Sequence, residues 1–367
     1  SGRMAVAEAL TNLAAADVAR LEDIKLSANW MAACGVAGQD AALYDTVSAV
    51  SELCQATGLS IPVGKDSLSM KTSWEQDGEQ RQVVAPVSLI VTAFAPVADV
   101  RASLTPQLRT DAGDSVLILI DLGRGRHRMG GSILAQAYNQ VGETVPDIDA
   151  PQDLRAFFVT IRTLAEAGTI LAYHDRSDGG LFATLVEMAF AGRTGISVNL
   201  DMLTFDPQSA DWGDYKIRPE QVAVQRDELT LKALFAEEAG AVIQVPAAQR
   251  DAVMQVLRGA GLSAHSHVIG GLNGGDEVEF YRDGKKVWGQ PRADLGRAWS
   301  EVSYRIMARR DNPACAQAEL DVWNDTQDPG MSPNVAFDPQ EDVAAPYINS
   351  GKRPRVAILR EQGCNSQ

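Results

Sequence analysis

The run from Ile170 to Leu181 constrains the fold of this chain more than any other. A short apolar stretch, Ile170-Leu171-Ala172-Tyr173, leads into His174-Asp175-Arg176-Ser177-Asp178 and then Gly179-Gly180. Leu181, Leu185, Met188 and Ala189 follow at helical spacing, up to Ala191. The order is strand, acidic turn, two glycines, helix. It sets carboxylates and a hydroxyl beside the free N–H groups and positive end of a helix. A turn of this kind can hold a cation and the phosphates attached to it. It can equally be an ordinary loop whose Asp and Ser cap the helix.

The same alternation extends along the chain. Residues 3–20 predict a helix with Met4, Val6, Leu10 and Leu13 as its apolar positions, and Ile24–Trp30 a strand. Gly38–Thr57 predicts a second helix, with Leu43, Val47, Val50 and Cys54 on one stripe and Gly58 in the C-cap position. Ser60–Thr72 and Val83–Phe94 predict antiparallel strands of a first α/β layer ending near residue 105. Ser115–Asp121 contains Val-Leu-Ile-Leu-Ile, a strand buried on both faces. A glycine-rich basic turn, 123–132, comes next, then helices at 132–141 and 152–167. Strands at Ile196–Leu200 and Gly240–Val245 alternate with helices at Leu229–Glu238 and Arg250–Gly259. Asp283-Gly284 predicts a hairpin turn between Glu277–Tyr281 and Lys286–Trp288. The fold class is therefore α/β with mixed (α+β) sheets. Residues 292–310 predict a helix, and 311–350 an irregular connector rich in Asp, Pro, Asn and Gly. No internal repeat is visible.

Composition narrows the function classes. A chain of 367 residues with 45% hydrophobic and 22% charged content supports two or three globular domains. No apolar run reaches the ~18 residues of a membrane span, and the opening residues lack a signal-peptide pattern. The net charge of −15 argues against a nucleic-acid surface. A polyanionic substrate would have to be met by a local patch of metal ions or N–H groups. Cys34, Cys54, Cys315 and Cys364 form no CxxC pair and are expected as buried free thiols. His265 and His267 would alternate on one strand face, a weak metal pair without an acidic or Cys neighbour.

A second polar run is Pro62-Val63-Gly64-Lys65-Asp66-Ser67-Leu68-Ser69-Met70-Lys71-Thr72. Extended, it would bring Ser67, Ser69 and Lys71 to one face, chemistry suited to phosphate oxygens or to a solvated edge strand. Glu8 and Asn12 stand four apart on the first helix, two oxygen donors on one face. On spacing alone they are as ordinary as any solvated helix face. His127 with Arg124, Arg126 and Arg128 could meet an anion, or form a flexible basic turn.

Taken in order, these segments resemble phosphoribosylformylglycinamidine synthase in its large, single-chain, glutamine-dependent form. The carriers are the runs 3–12, 25–32, 62–72, 174–181, 187–192, 309–315, 345–348 and 355–363, which extend along essentially the whole chain. The resemblance implies N- and C-terminal units like those of aminoimidazole ribonucleotide synthetase, belonging to the second synthase half. It implies boundaries at 1–105 and 106–305, a connector at 306–350, and the first strand of a glutaminase domain at 351–367. Both ends are thus expected to be cuts within a larger cytoplasmic polypeptide. The implied reaction joins formylglycinamide ribonucleotide, ATP and glutamine to give formylglycinamidine ribonucleotide, ADP, phosphate and glutamate. The implied cofactors are Mg2+ and ATP or ADP. Glu8, Asn12 and Asp175 match the family's metal ligands in this half, and Ser177 a nucleotide contact. A further acidic ligand lies upstream of Ser1. Lys65, Asp66, Ser67 and Ser69 are expected to line a nucleotide or substrate pocket. The implied partners are the first synthase half and the glutaminase domain, with no nucleic acid and no membrane. Cys364 is expected to be structural, since the glutaminase nucleophile lies beyond Gln367. In the large form this half's nucleotide is thought to be auxiliary.

Overall fold

The computed structural model describes residues 2–142, 144–204, 219–325, 328, 330, 333–348, 350–351 and 353–359. Helix α1 (Gly2–Leu13) buries Val6 and Leu10. It ends earlier than the periodicity suggests. Strand β1 (Lys25–Met31) and strand β2 (Ser60–Ser67) are joined through α2 (Gln39–Thr57), which Gly58 closes in the left-handed conformation. A helical crossover makes neighbouring strands parallel, and β1 pairs with β2 in that sense. The antiparallel strands expected of this layer are present in the β1–β5 pair, and the parallel β1–β2 pair is the departure from that expectation. The two long strand candidates each divide. Residues 60–72 become β2 and β3 (Lys71–Gln76), and 83–94 falls to β4 (Glu79–Val84) and β5 (Ser88–Phe94). Strands β3 and β4 form a separate hairpin, while β5 completes the sheet β2-β1-β5.

The larger sheet has the order β12-β11-β8-β10-β6-β9-β7. Its members are β6 (Ser115–Asp121), β7 (Ala172–Asp175), β8 (Ile196–Asn199), β9 (Gly240–Pro246), β10 (Ser266–Leu272), β11 (Glu277–Arg282) and β12 (Lys285–Pro291). Between them run α3 (Ile133–Ala137), α4 (Pro151–Glu166), α5 (Gly180–Gly192), α6 (Pro219–Phe235) and α7 (Arg250–Gly259). The period-two geometry of β6 explains its continuous apolar run. Ile118 and Ile120 join one core with Phe157, Phe158 and Ile161 of α4 and Leu257 of α7. Leu117 and Leu119 join the other with Leu181, Leu185 and Met188 of α5 and Leu234 of α6. The first core continues into the N-terminal layer through Val6, Leu10, Leu26, Val50 and Leu53.

His265 lies in a single-turn helix and only His267 lies in β10, so the two do not alternate along a strand as expected. Among the described cysteines only Cys54 is buried; Cys34 is half-buried and Cys315 exposed. Cys364 lies outside the described residues.

Residues 1–296 and 297–367 form two compact units. Helix α8 (Arg292–Arg310) opens at the end of the first. The second includes α9 (Pro313–Asp321) and α10 (Ala345–Ile348), within the stretch expected to be irregular. Helix α9 has a local cause: Asn312 accepts from the Ala314 N–H at 2.9 Å, and Pro313 follows at the first helical position. The strand expected from Arg355 is not formed over 353–359, where Val356, Ile358 and Leu359 lie exposed. A strand needs a paired neighbour to satisfy its backbone. The rest of that run, 360–363, lies outside the described residues.

Candidate functional site

The turn after β7 does not spend its hydroxyl and carboxylate on capping the next helix. Helix α5 begins without a side-chain cap, so the ordinary capping role open to Ser177 and Asp178 is not taken. Gly179 and Gly180 both have positive φ, 77° and 65°. A Cβ on Gly180 would stand 2.8 Å from the carbonyls of Leu234 and Ala236. Only glycine allows both this backbone and this approach. The N–H of Gly179 is satisfied from afar: Glu237 Oε1 accepts it at 2.9 Å and accepts the Ile133 N–H at 2.8 Å.

Helix α1 meets this turn from the N-terminal layer. The buried Tyr173 hydroxyl donates to the Thr11 carbonyl. That contact sets the Glu8–Asn12 face opposite Asp175. A cavity of about 600 Å³ is lined by Glu8, Asn12, His174, Asp175 and Ser177, and on its far wall by residues 89–93 of β5. A second cavity of about 230 Å³ is lined by Glu8, Ser177, Asp178, Glu237 and the pair Gly130-Gly131. All four residues named from the first helix and the acidic turn thus reach one cavity.

Lys65, Asp66, Ser67 and Ser69 do not. They sit on and just beyond β2, which β1 separates from β5. Lys65, Asp66 and Ser69 are exposed, and Ser69 pairs with Ala33 in an isolated bridge. Since β2 ends at Ser67 and β3 starts at Lys71, the expected one-face alternation of Ser67, Ser69 and Lys71 is broken.

The electrostatics of the cavities are acidic. Burial raises the Glu8 carboxyl, and the charges of Asp178, Asp175 and Glu237 raise it further. Burial likewise raises Glu237, against the two N–H groups it accepts, with Asp178 adding to the rise. Carboxylates that push one another upward are relieved by a cation. His174 loses affinity for its proton by burial, yet Asp175 at 3.5 Å and Glu187 at 2.8 Å push it up to about 9. The donor set facing the larger cavity is two carboxylates and a carboxamide. That suits Mg2+, which takes one or two carboxylates and fills its sphere with water and phosphate oxygens. Among the described residues no group of three or more His, Cys, Asp or Glu side chains is placed to hold a metal ion, so any metal here would rest on fewer such ligands together with Asn12.

The basic turn does not offer free cations. Arg124 pairs with Asp153, Arg126 with Asp149, and Arg128 with Glu238 at 2.7 Å. His127 is buried, with Nε2 3.2 Å from the Leu203 carbonyl. In place of the suggested anion contact, these arginines pair with carboxylates of the protein, Arg124 and Arg126 at the surface and Arg128 with the buried Glu238. Sequence reading passed over Arg176, Asp121, Glu237 and Glu238. The Arg176–Asp121, Gly179–Glu237 and Arg128–Glu238 contacts span 55 or more positions, so no local spacing marks them.

Comparison with known proteins agrees with this architecture. Residues 1–96 match the FGAR-AT PurM_N-like domain, and residues 111–283 match the C-terminal domain of AIR synthase related proteins. The chain thus carries the paired N- and C-terminal units of the AIR synthase-like superfamily. Among solved structures it is similar to T. maritima PurL complexed with FGAR, with TM-score 0.54 and 10% identity over 80% of this chain and 42% of that one. T. maritima PurL complexed with ATP gives 0.51 and 12%, over 79% and 40%. The hydrogenase maturation protein HypE of E. coli gives 0.51 and 19%, over 78% of each chain. At these identities the likeness is one of fold. This chain spans about two-fifths of the PurL chains it matches. No helix among the described residues is long and apolar enough to cross a membrane.

Proposed function

We propose that this chain is part of a phosphoribosylformylglycinamidine synthase and that its large cavity binds a magnesium nucleotide. The observation that carries the reading is the convergence of Glu8 and Asn12 with Asp175 and Ser177 on one cavity. Glu8, Asn12 and Asp175 are the metal ligands in this reading, and Ser177 contacts the nucleotide. The metal neutralises phosphate charge that the acidic protein would otherwise repel. The chain contributes to the ATP-dependent, glutamine-fed conversion of formylglycinamide ribonucleotide in a cytoplasmic enzyme. Lys65, Asp66, Ser67 and Ser69 would then serve a surface or substrate role apart from this cavity. The first synthase half is a fitting partner, since Ile90 and Phe94 are exposed on β5 while Leu89, Val91 and Ala93 pack inward. Residues 351–367 would lead into the glutaminase domain, the other partner.

A second reading has its own support. Among the described residues the lining of the 600 Å³ cavity contains no Lys or Arg, and its one cationic side chain, His174, is already paired with Asp175 and Glu187, which leaves no unpaired cation to stabilise a phosphoryl group in transit. In that case this half holds an auxiliary nucleotide and acts as a scaffold. The test is Glu8→Ala with Asp175→Asn in the full polypeptide, read by bound nucleotide after denaturation, Tm and turnover. Loss of turnover with Tm and nucleotide retained supports catalysis at this site. Loss of nucleotide and Tm together supports the scaffold. Wild-type protein that binds neither ADP nor ATP with Mg2+ would overturn both.

A further inference from the structure

Arg176 sits between Asp175 and Ser177, yet its side chain runs the other way, into the protein. It is among the largest fully buried side chains of the molecule. Its backbone N–H donates to the Gly240 carbonyl at 2.8 Å. Its Nε donates to the Glu238 carbonyl at 2.6 Å, and its Nη2 to the Ala239 carbonyl at 3.0 Å and to the Asp121 carboxylate. Asp121 ends β6 and holds the loop that follows: its two oxygens accept the N–H groups of Gly123 at 3.0 Å and Gly125 at 2.6 Å. The loop is held again further on, where Glu238 accepts from the Arg128 backbone at 3.0 Å and from its guanidinium. Past that point, Gly130 and Gly131 line the smaller cavity with Ser177 and Asp178.

Arg176 is thus part of the acidic turn, and its guanidinium reaches Asp121, whose oxygens hold the start of the glycine-rich loop; turn and loop together line the smaller cavity. We propose that Arg176 is a positioning residue which, through Asp121 and the Glu238 and Ala239 carbonyls, locks the 175–178 turn and the 123–131 loop into one rigid nucleotide-binding frame. Arginine is required because its planar fork serves a carboxylate and two carbonyls at once, which a lysine ammonium cannot match in direction. Arg176 itself borders the smaller cavity, and its side-chain hydrogen bonds all go to neighbouring protein groups. This is a role for partners of binding residues that ordinarily alters affinity rather than contact. The inference rests on the nucleotide-binding reading above, but its mechanical part does not.

The experiment has two arms, on Arg176→Lys and Asp121→Asn. In nucleotide-free protein, the rate of trypsin cutting after Arg124 and Arg126, whose side chains are 42% and 54% exposed, is measured. The expected result is faster cutting there in both variants, with cutting after Arg305 and Arg310 unchanged. Equal loop cutting in variant and wild type overturns the proposal, whatever the nucleotide does. If Arg176→Lys is cut at all sites at one common rate, it has unfolded and Asp121→Asn alone decides. In the second arm, fluorescent ADP with Mg2+ is titrated into each protein. The variants are expected to bind about 10- to 100-fold more weakly, and the double variant no more weakly than the worse single one. Variants with lowered Tm but wild-type affinity show a merely structural role and overturn the proposal. Absence of binding by the wild type itself defeats the nucleotide reading and the affinity claim with it, while the trypsin arm still judges the lock.

Discussion

The hydroxyl of Tyr173 donates to the backbone carbonyl of Thr11 across 162 positions of sequence, and this bond holds the first helix against the acidic turn. Both residues are buried, with exposures of 2% and 0%. Two residues before Asp175 and one before Asn12, the contact fixes the spacing of the candidate ligands.

Tyr173→Phe keeps the ring and leaves the Thr11 carbonyl buried without its donor. A buried acceptor left unpaired costs about 1–3 kcal/mol. Urea denaturation is expected to show that loss with an unchanged m-value, and Mg2+-dependent nucleotide binding is expected to weaken as well. Unaltered midpoint and affinity would show that the bond does not hold the helix.

Gly180→Ala is expected to be more damaging than its size suggests. The new Cβ would stand 2.8 Å from two carbonyl oxygens at a φ of 65°. A substitution that must strain the backbone and displace fixed main chain ordinarily costs more than the ~1 kcal/mol of a compatible glycine replacement. Thermal denaturation of Gly180→Ala beside Gly259→Ala, where a Cβ meets nothing within 4 Å, makes the comparison within one fold. Similar Tm values for the two would contradict the packing described at the start of α5.

Asp121 sets an acid limit. Burial pushes its carboxyl up, but the Arg176 charge, the Gly125 N–H and the Arg176 hydrogen bond more than offset this, and the group lies below its ordinary 3.8. A folded-state value depressed in this way stabilises the protein fully above the unfolded pKa and loses that contribution as pH falls through the folded one. Stability is therefore expected to drop below about pH 4, and Asp121→Asn should flatten the part of the curve that this group contributes. Denaturation midpoints of the two proteins from pH 7 to pH 3 measure the difference. Parallel curves would refute it.

Phe280 is fully buried at the centre of an aromatic cluster, with ring centroids 5.8 Å from Phe182 and 5.7 Å from Trp288. Phe280→Ala is expected to cost about 3–5 kcal/mol while leaving nucleotide binding in the folded fraction intact, because the cluster lies apart from both acidic cavities. A selective loss of nucleotide affinity without loss of stability would contradict that separation.

Much of this architecture was legible in the sequence. The period-two run of β6, the helical stripe of α5 and the Gly179-Gly180 break are local consequences of side-chain shape and backbone freedom, and each element formed where its pattern lay. Glu8, Asn12, Asp175 and Ser177 were assigned as candidates through a motif resemblance, the acidic turn having stood out by its pattern first. Spacing alone left Glu8 and Asn12 as an ordinary helix face. Periodicity misplaced 60–72 and 83–94 because β-branched runs do not mark where a strand turns to change partner. It also missed α9, whose Asn312-Pro313 start is stronger than its apolar pattern.

Other features belong to the tertiary structure alone. Whether Arg124, Arg126 and Arg128 meet an outside anion or a carboxylate of the same chain depends on Asp153, Asp149 and Glu238, which only the folded chain delivers. The burial of Arg176 likewise follows from the meeting of β6 and β9, which supplies Asp121 and two carbonyls to an otherwise prohibitive buried charge. Sequence determined the elements and the residue chemistry, because these depend on neighbours along the chain. Tertiary structure decided which charges are spent inside the protein and which face the cavity, because Coulombic and hydrogen-bond energies depend on distance in space.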